Sequence, residues 1–139
     1  MAEGAPEGTP ALPAGPAVLF VGNDFVRKGG EALLEAFALV RAQVPDATLT
    51  LVGTSYAVPS EGLLDGVEVV GRVHDRAEMD RLYERSAVLA LPSTFDPYPL
   101  VVLEAMAHAR PVVATRQCGV PEMVLDGVTG RLVEPGADL

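Results

Sequence analysis

The sequence predicts a single α/β domain, a parallel sheet flanked by helices. Three observations carry this. Strand-length and helix-length patterns alternate along the chain from Ala17 onward. The strand segments are short, continuous apolar runs, as strands covered on both faces require. Three of those runs stop at a glycine: Gly22, Gly53 and Gly71. They put permissive backbone along the carboxyl edge of the sheet, where open α/β sheets bind ligands.

The elements follow in order. Residues 1–16 are rich in Pro, Gly, Ala and Glu and lack periodicity, so they read as a flexible leader or linker. Residues 17–139 read as the domain itself, truncated at its C-terminus. Residues 17–21 form the first strand. Leu33, Phe37, Val40 and Val44, with Leu34 beside them, recur at helical spacing, preceded by Gly29-Gly30 and closed by Pro45. Residues 47–52 alternate as a second strand, residues 54–66 read as a surface connection, and residues 67–70 as a third strand. Asp75 and Glu78 form a capping-box pattern before a short helix with Met79, Leu82, Tyr83 and Ser86 inward. A fourth strand (87–91), a helix (99–108), a fifth strand (111–114), a helical turn (121–125) and a last strand (130–133) complete the domain.

Composition removes several function classes. With 139 residues there is room for one domain with a proper core, and 49% hydrophobic content is too high for a disordered chain. A net charge of −9 argues against general nucleic-acid binding, which needs a positive field. No apolar run has the length of a membrane span, and the first residues lack the basic and apolar regions of a secretion signal. The single cysteine, Cys118, rules out an internal disulfide framework and suits a reducing, cytoplasmic setting. The chain has no isoleucine, and its only lysine and only asparagine, Lys28 and Asn23, share one loop. The bias suggests a GC-rich coding sequence, and the pairing suggests that this loop needs those side chains.

Two segments have the makings of a binding site. The first, residues 22–30, joins the first strand to the first helix. Its glycines let the backbone approach a ligand, and Arg27 and Lys28 put positive charge where phosphates would sit. It is neither a phosphate-binding Walker loop nor a dinucleotide fingerprint. The bland alternative is a solvated basic pair beside a turn. The second segment, residues 92–107, leads through Pro99 into a helix that is apolar nearly all round, which predicts burial against the sheet. The first-turn N–H groups of that helix would face the carboxyl edge, a ready site for a pyrophosphate. Glu104 is the one acid in the helix. It fits either a sugar diol, whose two hydroxyls a carboxylate can accept, or a structural ion pair with Arg72, Arg116 or Lys28. Asp96 falls in the loop before the helix and reads either as a site residue or as a helix-capping acid. His74 reads as a surface loop residue, His108 as a helix-end residue, and Cys118 as a buried small residue. No cluster has metal-ligand spacing.

With these segments in place, the chain resembles the C-terminal domain of the group 1 glycosyltransferases, a large family with two Rossmann-like domains in the GT-B arrangement. The resemblance runs from Ala17 to Leu139. It rests on Phe20-Val21-Gly22, Arg27-Lys28-Gly29-Gly30, Leu51-Val52-Gly53, Val70-Gly71-Arg72-Val73, Pro92-Ser93, Leu103-Glu104-Ala105-Met106-Ala107, Pro111-Val112-Val113-Ala114-Thr115, Gly119-Val120-Pro121-Glu122 and Asp126-Gly127-Val128-Thr129-Gly130, in the family's order.

The resemblance implies a nucleoside-diphosphate-sugar donor as substrate, with no separate cofactor and no metal. It implies that Lys28 binds the donor's phosphates, with Gly22, Asn23 and Arg27 in the same loop. Gly71, Arg72 and Val73 would pack against the nucleobase. Leu100 and Val101, after Pro99, would offer main-chain N–H groups to the pyrophosphate. Glu104 would hold the ribose, and Asp96 would stand near the transferred sugar in place of the family's first glutamate. Lys28 and Asp96 are thus the expected catalytic pair. An N-terminal acceptor domain is the implied partner, and without it donor binding without turnover is expected.

The chain departs from the family's pattern at Asp96, one methylene shorter than glutamate, and at Pro99, which removes one N–H. Asn23 stands where an arginine is common, and Ala109 and Cys118 replace glycines. Rival readings are a non-catalytic α/β ligand- or protein-binding module, a sugar-nucleotide epimerase, and a pyridoxal-phosphate phosphorylase. The last would need the sole lysine elsewhere. Self-association through an uncovered apolar sheet face is also expected.

Overall fold

The computed structural model describes residues 15–53 and 65–135. The expected leader, most of the expected 54–66 connection and the last four residues lie outside the described residues.

Six strands and four helices alternate: β1 (Ala17–Val21), α1 (Gly30–Gln43), β2 (Thr48–Val52), β3 (Val67–Val70), α2 (Arg76–Glu84), β4 (Val88–Leu91), α3 (Leu100–Ala107), β5 (Val112–Thr115), α4 (Val120–Met123) and β6 (Gly130–Val133). All strand pairs are parallel, in the order β3-β2-β1-β4-β5-β6. This is the doubly wound order. Its consequence is local: β1 and β4 are neighbours in space but not in sequence, so the loops leaving their carboxyl ends diverge and open a crevice.

The strand period of two decides which core each residue joins. Leu19 and Phe20 are both fully buried, on opposite faces. Phe20, Leu49, Leu51 and Ala90 pack with Leu33, Leu34 and Phe37 of α1. Leu19, Val52, Leu89, Leu91, Val112 and Ala114 pack on the other side with Leu82 and Tyr83 of α2, Val102 and Ala105 of α3, and Val120 and Met123 of α4. Val40 and Val44, expected inward in the first helix, are exposed at its far end. On the α1 face a groove of about 150 Å³, lined by Val18, Phe37, Val40, Val88, Ala90 and Val113 among others, lies over β4 and β5. The sequence predicts an uncovered apolar sheet face, whereas most of this groove's lining is buried or half-buried.

Helix ends follow local chemistry. Asp75 caps α2, its Oδ1 accepting from the Ala77 N–H at 3.1 Å. Ala109 follows α3 with φ +56°, its N–H donating to the Met106 carbonyl and that of Arg110 to the Ala105 carbonyl, both at 2.9 Å. This is the left-handed helix stop that glycine usually supplies, and holding it with an alanine costs on the order of 1 kcal/mol. Cys118 has φ +45° and is exposed, not buried as the sequence suggested. Its left-handed turn points the side chain outward.

α3 differs from expectation in the same way. Val102 and Ala105 are buried, yet Leu100 is 62% exposed and Leu103 42% exposed. Apolar composition predicted burial all round. Among the described residues only the sheet-facing side of this helix is covered.

Candidate functional site

Two loops meet at the carboxyl ends of β1 and β4. Arg27 ties them together. Its Nε donates to Asp24 Oδ2 at 3.2 Å and its Nη1 to the Phe95 carbonyl at 2.8 Å. Its own carbonyl accepts the Thr94 N–H and hydroxyl, both at 3.1 Å. Lys28 takes a different course. A Cβ on Gly22 would lie 2.2 Å from Lys28 Cδ, so the lysine stem runs directly over the Gly22 backbone. That path carries Nζ to Asp96 Oδ2 at 2.7 Å, with both side chains about nine-tenths buried. Arg27 Nη1 stands 4.0 Å from the same oxygen. Asp96 is fixed from behind, its N–H donating to Gln117 Oε1 at 2.9 Å. A lysine ammonium has three donors, and Asp96 engages one of them.

The 92–99 loop delivers the chain to the N-terminus of α3. Pro99 is the N-cap, and its carbonyl accepts the Val102 N–H at 3.1 Å. The Leu100 and Val101 N–H groups have no intrahelical acceptor and sit at the positive end of the helix.

Glu104 is one turn further on. The Tyr83 hydroxyl, from α2, donates to its Oε2 at 2.8 Å, and Arg76 Nη1 lies 3.7 Å from its Oε1. Tyr83 is fully buried. That burial first, and the hydrogen bond to Glu104 second, push its phenol well above the ordinary tyrosine range, so it stays a donor at neutral pH.

The structure brings together Gly22, Arg27, Lys28 and Asp96 and leads from them to Pro99, Leu100 and Val101. It corrects three expectations about them. Asp96 does not cap α3, since it is committed to Lys28. Glu104 pairs with none of Arg72, Arg116 or Lys28; Arg116 instead meets Glu134 at 2.9 Å and Asp126 at 3.6 Å. Glu104 is also half-buried, not buried. Asn23, Gly71 and Arg72 are exposed or nearly so, while Val73 packs on the α2–α3–α4 core. His74 is exposed and His108 ends α3, as read from the sequence. Three partners were not foreseen: Tyr83, Arg76 and Gln117. Tyr83 was read only as a core residue, and no spacing within the sequence relates it to Glu104. A broader cleft of about 600 Å³ lies between β3 and α2, lined by Glu68, Glu78 and Glu84 and by Arg81 and Arg85, away from the edge where the two loops meet.

Comparison with known proteins bears on what this edge is for. A family model described as glycosyl transferases group 1 matches residues 15–138. The chain belongs to the group 1 glycosyltransferases. It is 33% identical over 136 residues to the D-inositol 3-phosphate glycosyltransferase of Segniliparus rotundus, covering 90% of this chain and 30% of that protein. Among solved structures it is similar to the C-terminal domain of a group 1 glycosyltransferase from Francisella tularensis, with TM-score 0.76, 26% identity, and 91% of this chain and 71% of that one covered. It is also similar to HepE of Anabaena in complex with UDP and glucose, with TM-score 0.73, 30% identity, and 88% and 35% coverage. The chain spans about a third of the full-length relatives. Its fold is that of the C-terminal domain of a GT-B glycosyltransferase. No helix among the described residues is long and apolar enough to cross a membrane.

Proposed function

We propose that this glycosyltransferase domain binds the nucleoside-diphosphate-sugar donor of a hexosyl transfer, at the crevice between β1 and β4. One observation carries the reading: the sole lysine is laid over Gly22 into the loop that feeds the free N–H groups of α3. In this reading Lys28 and the Leu100 and Val101 N–H groups hold the diphosphate. Lys28 keeps one donor on Asp96 and turns the others to the phosphates. Glu104 accepts from the ribose hydroxyls through the lone pairs that Tyr83 leaves open. Gly71, Arg72 and Val73 border the base, and Asp96 borders the sugar. The donor's glycosidic C–O bond breaks as the acceptor oxygen bonds the anomeric carbon, and the diphosphate leaves with the electron pair. Charge growing on that leaving group is stabilised by the same cation and N–H groups that bind it. The described residues supply no acceptor-holding surface opposite this edge, so by themselves they bind donor without turning it over.

The test is calorimetric titration of the chain with UDP, GDP and ADP, alongside folded Lys28→Ala and Glu104→Ala variants. One diphosphate is expected to bind, and each variant to weaken it about 10-fold or more, the size of a lost charge-assisted hydrogen bond. One feature favours the rival reading of a non-catalytic binding module: Lys28 and Glu104 are already partnered within the chain. No binding of any of the three by a folded chain would mean that closure by a second domain is essential or that the site has decayed, and would move that rival ahead.

The α1-face groove supports a second expectation, self-association of the chain through its apolar lining. Light scattering should show mass rising with concentration; a constant monomer mass would refute it.

A further inference from the structure

Between α2 and α3 lies a polar cluster that donor binding, as described above, does not by itself require. Tyr83 is held at three points. Its backbone carbonyl accepts Arg110 Nε at 3.0 Å. Its ring stacks on the His108 imidazole, with centroids 5.0 Å apart and planes 13° from parallel. Its hydroxyl donates to Glu104 Oε2 at 2.8 Å. His108 is itself fixed, one ring nitrogen 2.8 Å from the Glu104 carbonyl and the other 3.1 Å from Asp80 Oδ1. A buried phenol needs one acceptor, and a backbone carbonyl would serve. Here the acceptor is the one carboxylate of α3.

The two oxygens of Glu104 are therefore unequal. Oε2 is anchored to a rigid, buried group. Among the described residues Oε1 has Arg76 as its ion-pair partner, whose side chain is 60% exposed and, at 3.7 Å, beyond hydrogen-bond distance. Glutamate has three rotatable bonds, and one without an anchor at this half-exposed place would sample several rotamers. With its anchor, it presents Oε1 and the spare lone pairs of Oε2 in a fixed direction.

We propose that Tyr83 is a positioning residue for ribose recognition: it sets the direction of the Glu104 carboxylate and so the discrimination between ribose and deoxyribose in the bound nucleotide. The proposal rests on the donor-site reading above. It assigns no contact between Tyr83 and the ligand. It places the specificity of Glu104 in a residue of another helix, 21 positions away.

The experiment compares Tyr83→Phe with the unaltered chain by calorimetry, using whichever of UDP, GDP and ADP binds and its 2′-deoxy and 3′-deoxy counterparts. The unaltered chain should prefer the ribonucleotide. In Tyr83→Phe the ribonucleotide should weaken about 10-fold, and the deoxy forms, which keep one hydroxyl for Glu104, should weaken less, so the ratio falls. A purely structural tyrosine would lower the melting temperature and leave the ratio intact, and that result overturns the proposal. His108→Ala, which keeps the hydroxyl but removes the stacked ring, is the second variant should Tyr83→Phe not fold. A several-fold fall in the same ratio is expected there, and an unchanged ratio overturns the proposal equally. Failure of the unaltered chain to bind any diphosphate is a different result: it removes the donor-site reading, and this inference with it.

Discussion

Replacing Lys28 with methionine should both destabilise the chain and weaken diphosphate binding about 10-fold or more, and a second substitution should separate the two losses. Lys28 and Asp96 are 2.7 Å apart, with side chains only 12% and 10% exposed. Methionine fills much of the lysine stem's volume over Gly22, so little packing is lost. What remains is a carboxylate turned away from water without its nearest counter-charge. Breaking a buried pair from one side costs about 3–5 kcal/mol. Arg27 Nη1, 4.0 Å from the same oxygen, and residual solvent access offset part of this, so a loss of about 2–3 kcal/mol is expected. Adding Asp96→Asn removes the stranded charge and should restore most of that stability. It cannot restore a cation, so diphosphate binding stays weakened in the double variant. Urea denaturation of both proteins, with calorimetry under native conditions, checks this. A Lys28→Met chain as stable as the original would show that the pair contributes nothing to folding. A double variant that binds as tightly as the original chain would remove Lys28 from the donor site.

The sequence carried much of this arrangement because its signals were local. Residues 67–70 and 130–133 read as strands with the bounds the structure gives them. Gly22 and Lys28 belong to a single loop, and short spacing is enough to place a lysine over a glycine. What escaped is whatever depends on elements meeting. The exposure of Leu100 and Leu103 depends on which other elements cover α3, and no periodicity within the helix encodes that. The partners of Glu104 escaped for the same reason. The sequence offered arginines and a lysine as ion-pair candidates, but Tyr83 and Arg76 reach it only because α2 and α3 pack on one face of the sheet. Arg27 shows a subtler limit. Its charge marked the loop as a candidate site, yet the same side chain also donates to Asp24 and to the Phe95 carbonyl, holding two loops in register. Composition identifies where charge gathers, and geometry decides which charge is left for a ligand. In this loop Lys28 is the proposed ligand, with Arg27 as its scaffold.

That scaffold implies a second large effect, from the smallest available change. Gly29→Ala should destabilise the chain by about 2–4 kcal/mol, adding a left-handed backbone penalty to an overpacked contact. Gly29 has φ +78°, and a Cβ there would lie 1.9 Å from the Pro92 carbonyl oxygen. The obstacle is backbone at the end of β4, so it cannot be relieved by a rotamer change. Either α1 retreats or the 92–99 loop moves, and each route separates the two loops that Arg27 and Lys28 join. Two other glycines separate the causes. At Gly71 an added Cβ meets nothing within 4 Å, so Gly71→Ala should be close to neutral. At Gly22 the obstacle is the flexible Lys28 side chain, so Gly22→Ala should lose less stability than Gly29→Ala, through a disturbed Lys28–Asp96 pair, and weaken diphosphate binding by displacing the ammonium. Thermal melts of the three variants, with titrations of Gly22→Ala, should give a large loss of stability at Gly29, unchanged stability at Gly71, and weakened binding with a smaller loss of stability at Gly22. If Gly29→Ala melts with the original chain, the close approach of the two loops is not what holds this edge together. If Gly22→Ala binds undiminished, the path of Lys28 over that glycine is incidental to the site.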